Sequence, residues 1–230
     1  MKTIGLIGGM SWESSIEYYR IINQLVGEKL GGTHSAISVM YSLDFFEIEA
    51  LQDAGRWVEA TLIMIDAARR VESAGADFFL ICTNTMHLMA DEVQAGVSIP
   101  LVHIADATAS HIIRKGLSTV GLLGTRFTME KDFYKGRLED RFGIRVIIPD
   151  EYDREIVHRV IYDELILGKI KQASKDVFIG IMNGLVDRGA QGIILGCTEI
   201  PMLVGDGDVD VPVFDTMNIH AEAAVVYALG

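Results

Sequence analysis

Residues 77–87 read Asp77-Phe-Phe-Leu-Ile-Cys-Thr-Asn-Thr-Met-His87. The run from Phe78 to Cys82 carries no charge, which is typical of a strand buried on both faces of a parallel sheet. Hydroxyl and amide side chains follow at once, at positions 83–85. Ligands bind at this edge of an open α/β sheet, where strands end and helices begin. The stretch therefore predicts a parallel sheet with polar site residues at its carboxyl edge.

A second stretch of the same kind, Gly192-Ile-Ile-Leu-Gly-Cys-Thr-Glu199, lies about 115 residues later. Other short matches agree: Gly121-Leu-Leu-Gly124 follows Gly5-Leu-Ile-Gly8 at an offset of 116, and Val211-Pro-Val213 follows Ile99-Pro-Leu101 at an offset of 112. Such a repeat indicates an internal duplication. We therefore expect an α/β fold of two pseudo-symmetric lobes, each a parallel sheet flanked by helices. The predicted lobes are 1–98 plus 212–230 and 99–211, with the active site in the cleft between them.

Composition narrows the class of protein. Half of the 230 residues are hydrophobic and the formal net charge is −12, so a nucleic-acid or anionic-membrane partner is not expected. No apolar run approaches the roughly 20 residues of a membrane span, and the start lacks the apolar core of a signal peptide. We expect a cytoplasmic protein. Two cysteines do not form a disulfide framework and are expected as free thiols.

The amino-terminal segment predicts a strand, a glycine turn and a helix. Strand residues 3–7 lead into Gly8, Gly9 and Met10, and Ser11 is the expected N-cap of a helix over residues 12–29. The turn lacks the G-x-G-x-x-G and P-loop patterns of nucleotide sites, so we expect main-chain N–H groups that bind a small anion. The inward stripe predicted for this helix is Ile16, Tyr19, Ile22 and Val26.

The next segments predict a lid and a second amphipathic helix. The segment 44–52 is acidic but also contains four large apolar residues, which is too many for a disordered tether, so we expect a lid loop. A helix over residues 55–73 is expected to turn Val58, Leu62, Ile65 and Val71 inward.

The paired Cys-Thr sequences suggest the chemistry. A single cysteine at the end of a buried strand is most often a small core residue. Two such cysteines at equivalent places in two lobes instead suggest proton-carrying groups on opposite sides of a small molecule. That arrangement removes a proton from one face of a carbon and returns one to the other, as a racemase does. Thiols suit the task because their ordinary pKa, about 8.5, lies near neutrality.

The motifs resemble those of the aspartate/glutamate racemase superfamily over essentially the whole chain. The matching segments are Gly5-Leu-Ile-Gly-Gly-Met10, Thr83-Asn-Thr-Met-His87, Gly121-Leu-Leu-Gly-Thr125 and Gly196-Cys-Thr-Glu-Ile200. The resemblance implies an amino-acid racemase that uses neither pyridoxal phosphate nor metal, commonly works as a dimer, and takes one acid/base residue from each lobe. The six histidines show no metal-ligand spacing, in agreement with that expectation.

One departure from the family pattern concerns the first catalytic position. The usual motif is Cys-Asn-Thr-x-His, whereas Thr83 here occupies the thiol position and Cys82 lies one residue early. Neighbouring strand residues point to opposite faces. We therefore assign the catalytic pair to Thr83 and Cys197, with Cys82 as the alternative to Thr83. Because threonine is a far poorer base than a thiolate, turnover in the two directions should be unequal.

A dicarboxylic amino acid as substrate requires hydrogen-bond donors. We expect them from main-chain N–H groups and from a set of side chains near strand ends and helix starts. The set is Met10, Ser11, Gln52, Asn84, Thr85, Thr125, Thr198 and Glu199. Relatives usually add an arginine and a lysine, for which Arg56, Lys169 and Arg126 are candidates, whereas Glu199 could instead cap its helix.

Two other functions also fit the sequence. The first is a superfamily relative acting on another acidic carbon: a hydantoin or glutamate racemase, a maleate isomerase or an arylmalonate decarboxylase. The second is an amino-acid-binding protein that has lost catalysis, which Thr83 makes plausible. Exchange of the α-hydrogen in deuterated water distinguishes a racemase from a binding protein.

Overall fold

The computed structural model describes residues 1–230 and divides them into two compact α/β units. The first unit comprises Met1–Ile104 and His220–Gly230, and the second comprises Ala105–Ile219. None of the helices has both the length and the hydropathy needed to cross a membrane.

The first unit contains a three-stranded parallel sheet in the order β2-β1-β3. Its strands are β1 (Ile4–Gly8), β2 (Ser38–Ser42) and β3 (Phe78–Ile81). Its helices are α1 (Trp12–Leu30), α2 (Phe45–Asp53), α3 (Trp57–Ser73) and α4 (Ala90–Ala95), with a 3-10 turn at Thr85–Met89.

The second unit contains a four-stranded parallel sheet in the order β5-β4-β6-β7. Its strands are β4 (Thr119–Gly124), β5 (Arg145–Ile147), β6 (Ile193–Gly196) and β7 (Val213–Asp215). Its helices are α5 (Ile104–Arg114), α6 (Arg126–Glu130), α7 (Asp132–Phe142), α8 (Glu151–Asp163) and α9 (Gln172–Asp187). The last helix, α10 (Thr216–Leu229), begins in the second unit and ends in the first.

The two sheets share one plan, which confirms the predicted fold class. In each, the first strand of the unit is central, the second strand pairs on one side and the third on the other. All pairings are parallel, so the polar segments that follow the central strands lie at the carboxyl edge of each sheet.

The boundaries between the units lie at 104/105 and 219/220, a few residues after the boundaries expected from the prolines, at 98/99 and 211/212. Leu101 bridges Phe79 of β3 and so lies with the first unit. β7 follows Pro212 but pairs with β6, and therefore lies with the second. Pro100 and Pro212 thus each precede one more strand segment of the same unit, and the chain passes to the other unit only after that segment.

The core on one face of the first sheet lies under α3. Ile7, Phe79 and Ile81 pack there against a row of α3 side chains in which alanine predominates: Ala60, Met64, Ala67, Ala68 and Val71. The predicted inward positions Val58 and Leu62 are wrong, because these side chains are 77% and 62% exposed. Alanines occupy the sheet-facing stripe and allow close packing, so the larger aliphatic residues lie on the outer face.

The inward stripe predicted for α1 is also partly wrong. Ile22 and Val26 are buried as expected, but Ile16 and Tyr19 are about half exposed, and Tyr18 is buried instead. The helix is rotated about its axis relative to the predicted orientation, because hydrogen bonds of two serines fix its first turn. Ser11 caps the helix by accepting a hydrogen bond from the Ser14 N–H, and the Ser15 hydroxyl accepts one from the Gly9 N–H at 2.8 Å.

The predicted lid loop, 44–52, is a helix. The Asp44 carboxylate accepts the Phe46 N–H and caps α2, which buries Ile48 and Gln52. The residue before this cap, Leu43, packs closely on the turn after β1: a Cβ on Gly9, whose φ is +89°, would lie 2.1 Å from the Leu43 carbonyl oxygen. Only glycine fits there.

Candidate active site

The first-unit candidates collect at the carboxyl ends of two neighbouring strands. Because Ile7 of β1 is level with Ile81 of β3, the segments that follow these strands start side by side. Met10 and Ser11 follow β1, and Thr83 follows β3. A main-chain hydrogen bond joins the two segments at this edge, because the Cys82 N–H donates to the Ile7 carbonyl.

Cys82 and Thr83 have different environments. Cys82 has no exposed surface, and burial raises the pKa of its thiol far above the ordinary value. Thr83 is partly exposed at the strand end, where its N–H donates to the Ile81 carbonyl. A thiol without exposed surface cannot contact a substrate in this packing, whereas the partly exposed Thr83 can, so exposure favours Thr83 over Cys82 for the catalytic position.

The first-unit substrate-binding candidates are polar groups that the fold buries. Gln52 on α2 donates from Nε2 to the sulfur of Met86 at 3.1 Å, which packs α2 against the turn after β3. Asn84 and Thr85 begin that turn and are 2% and 5% exposed. A buried amide or hydroxyl requires hydrogen-bond partners, and side chains gathered at a strand end are suited to offering them to a ligand.

The second-unit candidates are positioned by a close approach of β4 and β6. Gly124 and Gly196 lie opposite each other, and a Cβ on either would come within 2.8 Å of backbone oxygen on the other strand. Thr125 then caps α6 by accepting the Thr128 N–H, and Cys197 follows β6 directly. The two glycines thus bring the segments that carry Thr125 and Cys197 together at one edge.

Cys197 is paired with a carboxylate. Its thiol donates to Glu199 Oε2 at 3.0 Å, and the Thr198 hydroxyl donates to the same oxygen at 2.8 Å. Burial raises the pKa of the Cys197 thiol well above its ordinary value, and the charge and hydrogen bond of Glu199 raise it further. Hydrogen bonds donated to the sulfur by the main-chain N–H groups of Glu199 and Ile200 lower the pKa, but burial and the carboxylate have the larger effect. The side chain is therefore a thiol with a proton acceptor beside it.

The three cationic candidates are all exposed. Arg56 forms an ion pair with Glu59 on the surface of α3. Lys169 follows a short turn and donates its N–H to the Glu164 carbonyl, and Arg126 extends over the ring of Phe127.

Two roles were not foreseen from the sequence. Glu199 was expected to contact substrate or cap a helix, but it accepts hydrogen bonds from Cys197 and Thr198. His87 received no role, yet its Nδ1 lies 2.8 Å from the carbonyl oxygen of Thr83. The signal for His87 was its place four residues after Thr83 in a helical turn, the spacing at which a side chain reaches a main-chain carbonyl.

Comparison with known proteins gives concordant matches. The family model described as Asp/Glu/Hydantoin racemase matches residues 7–224. A Yersinia pestis crystal structure assigned to the Asp/Glu racemases is 54% identical, with a TM-score of 0.94 and complete coverage of both chains. An aspartate racemase homologue from Pyrococcus horikoshii is 36% identical, with a TM-score of 0.87 and again complete coverage. A broad specificity amino-acid racemase from Bacillus subtilis is 25% identical over 70% of this chain and 69% of its own.

Proposed function

The chain belongs to the Asp/Glu/hydantoin racemase family, and we propose that it interconverts the enantiomers of aspartate and of glutamate by two-base proton transfer at Cα, without a cofactor. One observation carries the proposal. Two sheets of the same topology each end their third strand with a candidate proton carrier, Thr83 after β3 and Cys197 after β6. Groups at equivalent ends of duplicated lobes suit transfer on opposite faces of one carbon.

The proposed reaction begins at Cys197. Glu199 takes the thiol proton, and the Cys197 thiolate removes the α-hydrogen from one face of the substrate. The Thr83 hydroxyl delivers a proton to the other face and recovers one from solvent, while Glu199 releases its proton to solvent. In the opposite direction Thr83 must accept the α-hydrogen, for which a hydroxyl is poorly suited at neutral pH. We therefore propose that the enantiomer whose hydrogen faces Cys197 exchanges faster, although both are equally populated at equilibrium.

The substrate carboxylates are proposed to bind the polar groups at the two sheet edges. The first unit supplies Met10, Ser11, Gln52, Asn84 and Thr85, and the second supplies Thr125 and Thr198, each less than a tenth exposed. Glu199 fits a different role, because a carboxylate repels a dicarboxylic substrate and its oxygen is already engaged by the thiol. We propose it as the proton acceptor for Cys197.

The test is hydrogen exchange at Cα in deuterated water. Each of the four enantiomers of aspartate and glutamate is incubated separately with the protein, and loss of the α-proton signal is followed by NMR. We expect washout from aspartate and glutamate enantiomers, with unequal initial rates for the two enantiomers of each pair. Alanine and hydantoins serve as comparison substrates, since one related protein is a broad specificity racemase. Absence of exchange from every acidic substrate by the folded protein would contradict the proposal.

Assembly and location form a second part of the proposal. We propose a homodimer, in line with the family resemblance; supporting it, the large apolar side chains Trp12, Ile16 and Tyr19 lie exposed on one face of α1. Sedimentation should give a two-chain mass at micromolar concentration, and a one-chain mass would overturn this part. We also propose a cytoplasmic location, because the reaction needs Cys197 as a free thiol, and both cysteines are free here. Cell fractionation tests it.

A further inference from the structure

Three buried histidines of the first unit form a cluster that the proposed reaction does not use. The histidine cluster consists of His87, His103 and His220, which are 2%, 7% and 0% exposed. The ring centroid of His87 lies 4.5 Å from that of His103 and 5.8 Å from that of His220. The cluster lies where the chain crosses between the units, since the first unit ends at Ile104 and resumes at His220.

The hydrogen bonds of His87 fix its tautomer. The Ile104 N–H donates to Nε2 at 3.3 Å, so Nε2 carries a lone pair. A neutral imidazole then carries its proton on Nδ1. Nδ1 lies 2.8 Å from the carbonyl oxygen of Thr83, which can only accept. His87 therefore accepts from one main-chain group and donates to another.

These two bonds connect Thr83 to the crossing segment. Thr83 lies just past the end of β3, and its own N–H is held by the Ile81 carbonyl. The His87 bond holds the other end of the same residue through its carbonyl. With both main-chain groups fixed, the direction of the Thr83 side chain is also restricted, because the main-chain dihedral angles limit the rotamers.

We propose that His87 is a positioning residue for Thr83: the Nδ1–H form of its imidazole holds the Thr83 carbonyl and so fixes the hydroxyl that serves one face of the substrate. The inference rests on the proposed role of Thr83. His87 acts through the main chain and does not carry the transferred proton, since both ring nitrogens are engaged. Reaction rates fall steeply when a reacting group is displaced by about 1 Å, so loss of this bond should affect one face selectively.

Two substitutions separate the two bonds. His87→Asn places an amide near the position of Nδ1 and can keep the donor to Thr83. His87→Gln places an amide near Nε2, so it can keep the acceptor for Ile104 but loses the donor to Thr83. We expect His87→Gln to slow α-proton washout from the slower, Thr83-facing enantiomer by about tenfold or more, with the faster enantiomer changed less than about threefold. His87→Asn should retain most of the slower rate.

The matched control is His220→Gln. His220 belongs to the same cluster and is fully buried, but its bonds go to the Tyr18 hydroxyl and the Val102 carbonyl. The His220→Gln variant should have a lower unfolding temperature than the unsubstituted protein but the same ratio of the two washout rates. A ratio that shifts equally in His87→Gln and His220→Gln, or equal slowing of both enantiomers by His87→Gln, would reduce His87 to a packing residue and overturn the inference.

A second measurement does not depend on activity. Nitrogen-15 NMR of the imidazole groups distinguishes protonated from unprotonated ring nitrogens, and the inference requires His87 in the Nδ1–H form at neutral pH. The Nε2–H form would overturn it even if the racemase activity is present. Lack of exchange by the unsubstituted protein, with His87 in the Nδ1–H form, would contradict the proposed function and leave the hydrogen-bond assignment intact.

Discussion

The thiol of Cys197 donates a hydrogen bond to the carboxylate of Glu199, with Sγ and Oε2 separated by 3.0 Å. The pair is buried, so the negative carboxylate opposes formation of a second negative charge on sulfur. The same carboxylate accepts the hydrogen bond of the thiol and so can take its proton. Glu199 therefore lowers the thiolate population at rest and offers a route for forming the thiolate when substrate is bound.

Glu199→Gln should separate these two effects. The substitution removes the negative charge that raises the Cys197 pKa, so that pKa should fall, although burial still keeps it above its ordinary value. Iodoacetamide should then alkylate Cys197 faster at neutral pH. Washout from the Cys197-facing enantiomer should slow by about tenfold or more, because the proton acceptor is lost. Mass spectrometry and NMR measure the two rates.

A control for the loss of one carboxylate charge is Glu164→Gln. Glu164 lies in the same unit and accepts from Ser174 and Lys171. This variant should alter neither rate. Faster washout in Glu199→Gln would mean that Glu199 only suppresses the thiolate and takes no proton.

Cys197→Ser should abolish racemisation and α-proton exchange from the Cys197-facing enantiomer, since a serine hydroxyl stays protonated where a thiolate would form. Cys82→Ser should leave most of the exchange, but should lower the free energy of unfolding by about 1–3 kcal/mol, because it places a hydroxyl in a fully buried apolar site. Washout and urea unfolding check the two variants together. Loss of exchange in a folded Cys82→Ser protein would assign the first-unit proton carrier to Cys82.

Thr83→Cys should speed the slower enantiomer more than the faster one. The substitution replaces a hydroxyl by a thiol whose pKa is several units closer to neutrality, and it is small enough for a partly exposed strand end. The initial rate of α-proton washout in deuterated water, measured for each enantiomer, gives the change. Equal acceleration of both enantiomers, or none, would show that another group carries the proton on that face.

Stability should depend on pH through His220. Burial lowers its pKa from 6.5 to about 4, against the smaller opposite effect of the Val102 carbonyl. A histidine with a lower pKa in the folded state contributes stability that is complete above pH 6.5 and is lost as the pH falls towards 4. The loss is at most about 3 kcal/mol. His220→Gln lacks this titration, so the difference in unfolding free energy between the two proteins should shrink over this range. A constant difference would show that His220 does not titrate with folding.

The sequence predicted the strands and turns better than the buried faces of the helices. Strand ends are marked by an abrupt change from apolar to polar residues, as at Cys82 and Thr83, and this signal is local. The inward face of α1 is set by the bond between Ser15 and Gly9, which hydrophobic periodicity does not detect. The face of α3 is set by alanines that permit close approach, whereas the more hydrophobic Val58 and Leu62 lie outside.

The candidate site shows the same division. Residue types at motif positions predicted which side chains follow the strands, and the structure places them at the carboxyl edges of the two sheets. The bond from Cys197 to Glu199 and that from His87 to Thr83 depend on turns whose geometry is fixed by neighbouring strands. Such bonds need coordinates, because spacing alone allowed a helix cap at Glu199 equally well.

The discontinuous first unit has a consequence for synthesis of the chain. Residues His220–Gly230 complete it: His220 bonds Tyr18 and Val102, the ring of Tyr227 packs on Phe78, and the Ala228 carbonyl receives the Lys2 N–H. On the ribosome, the continuous second unit is made entirely before these contacts can form. Domains generally fold as units during synthesis. Although its larger part is translated first, the amino-terminal unit therefore keeps part of its core exposed until residues 220–230 are made, and it is the second of the two to reach its final packing.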